Sequence, residues 1–223
     1  MNTVIGDLLP LAVAIAISPV PIIGATLLLM GPRARVLGPC FLIGWVLGVL
    51  TSVVAFTLLA GVLPESSPSE GQPVVGTVQL LLGATLLGMA VRQMRSRPQP
   101  DDEQGLPAWM TKFDTMRPGA SLGTAALLAA VSPKNLFLAI AAGSVLGTSG
   151  LGVGSVAICI SIFVAVASLM IAVPTVGYLV APERAVPLLD SIRTWLASNN
   201  ATIMAVLLLV LGTKLIGSGL GAL

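Results

Sequence analysis

Long apolar runs separated by short polar links dominate the chain. Six of these runs reach or approach the length of about 20 residues that a helix needs to cross the hydrocarbon core of a bilayer. None of them shows the alternation that is typical of barrel strands. Because only helices and closed barrels satisfy their backbone hydrogen bonds in lipid, the pattern predicts six transmembrane helices. They cover approximately residues 8–30, 36–63, 74–91, 120–146, 151–180 and 201–221.

The composition agrees with a lipid environment. Of the 223 residues, 56% are hydrophobic and only 9% are charged, whereas a soluble domain of this size carries about 25% charged residues. So few charged side chains cannot cover a surface that faces water. The sequence therefore predicts an all-α integral membrane protein. The N-terminal run lacks the basic start and the cleavage site of a signal peptide, so we interpret it as a retained helix.

The basic residues lie on alternate links between the predicted helices. Arg33 and Arg35 follow the first helix, Arg184 and Arg193 follow the fifth, and five more lie in or beside the long polar loop at residues 93–118. The opposite links contain no Lys or Arg. Because basic residues are retained on the cytoplasmic side, this distribution predicts that both termini lie outside and that the loop is cytoplasmic.

This topology divides the chain into two halves of three helices each. The first half covers residues 1–92, the second covers 119–223, and the loop 93–118 joins them. Within the loop, LPAWMTKFDTMR places its apolar residues at helical spacing, which predicts a short amphipathic helix on the inner membrane surface. A lid that packs beneath the other helices is an equally good interpretation of the same spacing.

A Ser-Pro pair occurs near the centre of the first predicted helix and again near the centre of the fourth. The two stretches are AIAISPVPIIGA at 14–25 and LLAAVSPKNLFLA at 127–139. Proline removes a backbone donor and interrupts a helix, and three helices per half place the second half in the opposite orientation. We therefore predict two inverted three-helix repeats in which helices 1 and 4 are broken by proline. A purely structural kink remains the alternative.

Lys134 lies in the middle of the fourth apolar run, where an isolated charge costs about 2.5–3.5 kcal/mol. No Asp or Glu lies at a comparable depth in any predicted span. Three interpretations stay open for this lysine. It faces a wet cavity and pairs with an anionic substrate, or it is uncharged and takes up a proton during a cycle, or it bonds to carbonyls that the prolines have freed. Asn135 adds a donor and an acceptor in each case.

Other functional classes find little support in the sequence. The chain has no histidine, its two cysteines lie far apart in apolar runs, and it has no acidic pair, HExxH or GxSxG motif. We therefore expect no enzymatic activity, no cofactor, no metal site and no nucleic-acid partner. The lack of carboxylates within the spans also disfavours a cationic cargo. The glycines of GWVLG, Gly44 and Gly48, predict close helix packing within one chain or in a homo-oligomer.

The motifs SPVP at 18–21 and SPKN at 132–135 resemble those of the LysE transporter superfamily. Many of its members have Pro-Gly-Pro at the first position and Asn-Pro-Lys at the second, so Val20 and Ser132 depart from the usual pattern. The length, the stretches ISPVPI and AAVSPKNL and the polar third loop resemble, more narrowly, the actinobacterial glycolipid-addressing proteins. That group includes the sulfolipid- and peptidolipid-addressing proteins of mycobacteria.

The resemblance implies a secondary exporter in a bacterial cytoplasmic membrane that moves a glycolipid or another anionic or amphiphilic solute by alternating access. An amino-acid-like exporter and a non-transporting accessory subunit that recruits partners through its loop are the alternatives. Membrane lipids are the expected partners, and proton coupling stays open. By position, the resemblance implies a substrate-binding site at Ser18, Pro19, Pro21, Ser132, Pro133, Lys134 and Asn135.

Overall fold

The computed structural model describes residues 1–62, 73–95 and 116–222. Helix accounts for 92% of these residues, and they contain no strand. This confirms the predicted all-α class for the described part of the chain. The helices are α1 Asn2–Ala16, α2 Pro19–Met30, α3 Ala34–Val62, α4 Pro73–Arg95, α5 Pro118–Val131, α6 Pro133–Gly147, α7 Val153–Val180 and α8 Pro182–Ala222.

Proline is the first residue of five of these helices. They are α2, α4, α5, α6 and α8, which begin at Pro19, Pro73, Pro118, Pro133 and Pro182. The first N–H groups of a helix have no partner within the helix, so proline loses nothing there, and its fixed φ suits the first turn. Pro19, Pro133 and Pro182 follow within three residues of the end of the preceding helix, so each lies between two helical segments.

Several helices are long and apolar enough to cross a membrane. They are α3 over Ala34–Gly61, α7, and the part of α8 over Ala201–Gly221. The pairs α1–α2 and α5–α6 also qualify if each is one broken span, with bends of 54° and 64°, which gives three to five spans. Large apolar side chains such as Leu58 and Val173 are exposed on these helices. The protein is therefore a multi-pass membrane protein.

The count of six spans stays a prediction. The third predicted span corresponds to α4, which is not among the candidate spans. The sixth lies within α8, which begins at Pro182 and is continuous through the segment that separates it from the fifth. The proposed amphipathic helix of the loop falls almost entirely outside the described residues.

The described residues form two units. The first contains α1–α3, α5–α7 and the start of α8 as far as Thr194, and the second contains α4 with the rest of α8. In the second unit, a Cβ added at Gly83 would lie 2.9 Å from the carbonyl oxygen of Gly212. The two helices of this unit therefore approach each other at backbone distance.

In the first unit, the pair α5–α6 runs along the whole of α3. Glycines allow this approach: a Cβ at Gly44 would collide with the Leu122 carbonyl. In order along α3, the contacts join Leu37 to Ser121, Gly48 to Ala126 and Ala60 to Gly147. Because residue numbers rise together on both partners, α5–α6 and α3 run in the same direction.

The pair α1–α2 follows α7 in the same way. Ala12 of α1 lies beside Cys159 near the start of α7, and Pro32, just beyond α2, lines a cavity with Tyr178 near the end of α7. The two pairs thus each extend along a candidate span instead of turning back at their bend.

The helices α3 and α7 are antiparallel. A Cβ at Gly38 would lie 3.6 Å from Cγ2 of Thr175, and Nε1 of Trp45 donates to the Ala167 carbonyl at 3.3 Å. Between these two contacts, the residue number rises on α3 and falls on α7. Because α5–α6 follows α3 and α1–α2 follows α7, the two broken pairs run in opposite directions.

Candidate functional site

The first break, at Ile17 and Ser18, leaves carbonyl groups of α1 without their usual helical donors. The N–H of Ser18 donates to the Ala16 carbonyl at 2.9 Å, so it is not available to Ala14, its partner in a continuous helix. Pro19 has no N–H to offer to Ile15. The C-terminal end of α1 therefore needs donors from elsewhere in the fold.

Lys134 supplies one of these donors. Its Nζ donates to the Ala14 carbonyl at 2.7 Å, and the residue is only 5% exposed. Lys134 is the second residue of α6, where the positive end of its own helix dipole disfavours a cation. The negative end of α1 favours the same charge. The ammonium group therefore connects the two broken pairs near the middle of each.

Asn135 provides a similar contact at the second break, which lies at Ser132. Its Nδ2 donates to the carbonyl of Leu128, in the last turn of α5, at 3.3 Å. Its Oδ1 is buried and has no hydrogen-bond partner among the described residues. Two adjacent side chains in the first turn of α6 thus donate hydrogen bonds to the C-terminal ends of α1 and α5. The Oδ1 acceptor of Asn135 remains without a donor among the described residues.

The charge of Lys134 is not balanced by a carboxylate in the described part of the chain. The three carboxylates there belong to Asp7, Glu183 and Asp190, and all three residues are exposed. Asp190 pairs with Arg193 at 3.6 Å. The Nζ of Lys134 therefore has a neutral main-chain oxygen as its partner among the described residues.

The structure brings the predicted site residues together at two breaks that Lys134 connects. Ser18, Pro19 and Pro21 lie at the first break, and the other four lie at the second. Both serines occupy helix N-cap positions without a side-chain hydrogen bond to the cap. The freed carbonyls of Ala14 and Leu128 instead accept hydrogen bonds from the side chains of Lys134 and Asn135.

Of the three interpretations of Lys134, the observed conformation shows the bond to a freed carbonyl. The cavity between Pro32 and Tyr178 is not lined by Lys134 or Asn135. Sequence reasoning did not name Ala14 and Leu128 as acceptors. A signal for both existed, because each carbonyl lies in the last turn before a proline-initiated helix, where helical donors are lost.

Two bent helix pairs that run in opposite directions, with a buried lysine between them, are the central feature of this multi-pass membrane protein. The model of one protein family, described as Sap, sulfolipid-1-addressing protein, matches residues 8–221. The chain belongs to this family, which confirms the resemblance to glycolipid-addressing proteins and associates the chain with sulfolipid or glycolipid addressing. Comparisons with curated proteins and with solved structures returned no match.

Proposed function

We propose that this protein is a secondary transporter that moves a glycolipid, or another anionic amphiphile, out across the cytoplasmic membrane. Three findings support the proposal. The family is named for sulfolipid addressing, two broken pairs run in opposite directions, and a buried cation joins them at their breaks. We place the family within the LysE superfamily on its motifs, and we interpret the two halves as inverted repeats that alternate in access.

The observation that carries the proposal is the neutral partner of Lys134. An ammonium group bonded to a neutral carbonyl keeps an uncompensated charge, whereas an ionised oxygen adds the Coulomb attraction of an opposite charge to the hydrogen bond. A sulfate or carboxylate on the cargo would therefore compete well with the Ala14 carbonyl. Once Lys134 has moved to the cargo, the link between α1 and α6 is broken, and the buried Oδ1 of Asn135 is available to a hydroxyl of the same head group.

This exchange couples binding to a change of shape. A ligand shifts a conformational equilibrium only by its difference in affinity for the two states. The proposed cargo has such a difference, because it competes for the ammonium group that holds α6 to α1 in the observed state. A cationic cargo would be repelled by Lys134 in both states. The function requires no chemical reaction at the site.

The decisive variant is Lys134→Met, which keeps the length of the side chain and removes its charge. Losing the bond to Ala14 costs about 1.5–3 kcal/mol, whereas removing a buried charge returns about 2.5–3.5 kcal/mol. Because the two terms nearly offset, we expect the variant to fold. Lys214→Met is the matched control, because Lys214 lies exposed on α8.

The measurement uses the purified protein in liposomes that contain a fluorescent sulfated galactosylceramide. An impermeant quencher reports how fast the lipid crosses from the inner to the outer leaflet. We expect the parent and Lys214→Met to move the lipid at the same rate and Lys134→Met to lose at least about 90% of it, as loss of a charge-assisted contact implies. Equal rates per folded molecule for parent and Lys134→Met would leave Lys134 as a structural support and favour the accessory-subunit alternative.

A further inference from the structure

A cavity of about 590 Å³ lies in the first unit, at the end where α2 finishes and α3 and α5 begin. Its lining includes Arg33 and Arg35 from the link between α2 and α3, Pro118 at the start of α5, and Tyr178 near the end of α7. The volume falls within the range of small-molecule sites, about 300–1,000 Å³. It is therefore large enough for a sugar-sized head group.

The charged residues that line the cavity are both basic. Both arginines are exposed, and no described carboxylate lines the cavity. Guanidinium groups bind sulfate and phosphate esters through paired N–H donors, and the hydroxyl of Tyr178 adds a further donor. The N-terminal ends of α3 and α5 and the C-terminal ends of α2 and α7 all lie near the cavity. Because their dipoles oppose one another, the attraction for an anion comes from the two arginines. The cavity is suited to an anionic group.

The floor of the cavity is held in place by a hydrogen bond between two helices. The hydroxyl of Ser121, one turn into α5, donates to the carbonyl of Leu37 at 3.0 Å, and Leu37 itself lines the cavity. Ser121 is fully buried. The starts of α3 and α5 therefore keep a fixed spacing, so that an incoming group meets a preorganised surface.

The surroundings of the cavity favour an amphiphile as the ligand. Val36 lines it and is 51% exposed, and Val180, two residues beyond Tyr178, is 79% exposed. Tyrosine and arginine are enriched at the boundary between the hydrocarbon core and the head groups. The basic cavity thus borders apolar surface that would face acyl chains, and a molecule with an anionic head and an apolar tail fits both parts.

We propose that this cavity binds the sulfate or phosphate ester head group of a lipid in the inner leaflet, and that it is the position from which the lipid approaches the broken helices. Lys134 does not line the cavity, so binding here does not depend on the transport step. Failure of the proposed transport and failure of this binding site are therefore separate results.

The test compares binding of a sulfated galactosylceramide to the whole protein and to two charge-matched double variants in detergent, by native mass spectrometry. Arg33→Gln with Arg35→Gln removes the two arginines of the cavity. Arg184→Gln with Arg193→Gln removes two arginines outside it. We expect the first pair to weaken binding by about tenfold or more, since each charge-assisted contact contributes on the order of tenfold in affinity, and the second pair to change it less than about twofold.

Two further ligands test whether the cavity binds a lipid head group or a free anion. Uncharged galactosylceramide should bind parent and variants equally weakly, and inorganic sulfate should compete only at concentrations far above those of the lipid. Lys214→Met, which changes an exposed lysine that does not line the cavity, should bind the sulfated lipid as the parent does. The proposal is overturned if the Arg33/Arg35 double variant keeps the parent affinity, if the uncharged lipid binds as well as the sulfated one, or if inorganic sulfate competes at lipid concentrations.

Discussion

Lys134 and Asn135 are neighbours in α6 that reach carbonyl groups on two different helices. Lys134 bonds to α1 and Asn135 bonds to α5. A single turn of α6 therefore stabilises the C-terminal end of the first helix in each broken pair. A buried carbonyl left without a donor costs about 1–3 kcal/mol. The first turn of α6 therefore stabilises the breaks, in addition to its proposed role with the cargo.

Asn135→Leu tests this stabilising role. The substitution keeps the approximate size of the side chain and leaves the Leu128 carbonyl without its described donor, which should lower the free energy of unfolding by about 1–2 kcal/mol. Asn199→Leu is the control, because Asn199 makes the same type of bond to Trp195 at an exposed position. We expect thermal unfolding in detergent to show a lower midpoint for the first variant only. Equal midpoints would mean that the Leu128 carbonyl finds another partner.

At the residue scale, the sequence indicated that Lys134 needs a partner, but it did not indicate which carbonyl that partner is. An ammonium group in the middle of an apolar run requires a partner, and freed carbonyls near prolines were the nearest candidates. The choice of Ala14 depends on how closely α1 and α6 approach each other. That approach is set by tertiary packing, and no local pattern in either stretch records it.

The helical elements owe their arrangement to small residues as much as to prolines. Gly44 and Gly48 of α3 bring its backbone against α5, and Gly143 and Gly147 of α6 do the same farther along α3. In lipid, where apolar side chains gain little by leaving the solvent, such close approach is a main source of helix association. The packing face predicted from GWVLG therefore lies within the chain.

Gly44→Ala should disturb this packing. The added methyl group meets the backbone of Leu122, which cannot move as a flexible side chain does. Overpacking of this kind costs about 1–3 kcal/mol. Gly88→Ala is the matched control, since nothing lies within 4 Å of the added Cβ. The midpoint of thermal unfolding should fall for Gly44→Ala and hold or rise for Gly88→Ala. A reversed order would show that α3 and α5 do not pack as described.

Helix boundaries illustrate what hydropathy can and cannot predict at this scale. The residues before Ala201 include Asp190, Arg193 and several polar side chains, so the apolar pattern is interrupted there. The backbone is not interrupted, because helical hydrogen bonds do not require apolar side chains, and α8 continues from Pro182. Hydropathy therefore located the apolar part of α8 and could not locate its start.

At the scale of the whole molecule, the proposed transport depends on two broken pairs that run in opposite directions. The sequence predicted this from the alternation of basic links and from an odd number of helices per half. The packing of α1–α2 along α7 and of α5–α6 along α3 agrees with it within the first unit. The cavity with its two arginines lies at the end that the basic links predict to be cytoplasmic.

The most direct test of this central claim is the side of the membrane on which each end of the broken pairs lies. In a parent without its two native cysteines, single cysteines at Asn2, Gly119 and Thr148, all exposed positions, would be treated with an impermeant maleimide in intact and in permeabilised cells. We expect labelling at Asn2 and Thr148 in intact cells, and at Gly119 only after permeabilisation. Labelling of Gly119 and Thr148 from the same side would make α5–α6 a re-entrant loop and contradict the account.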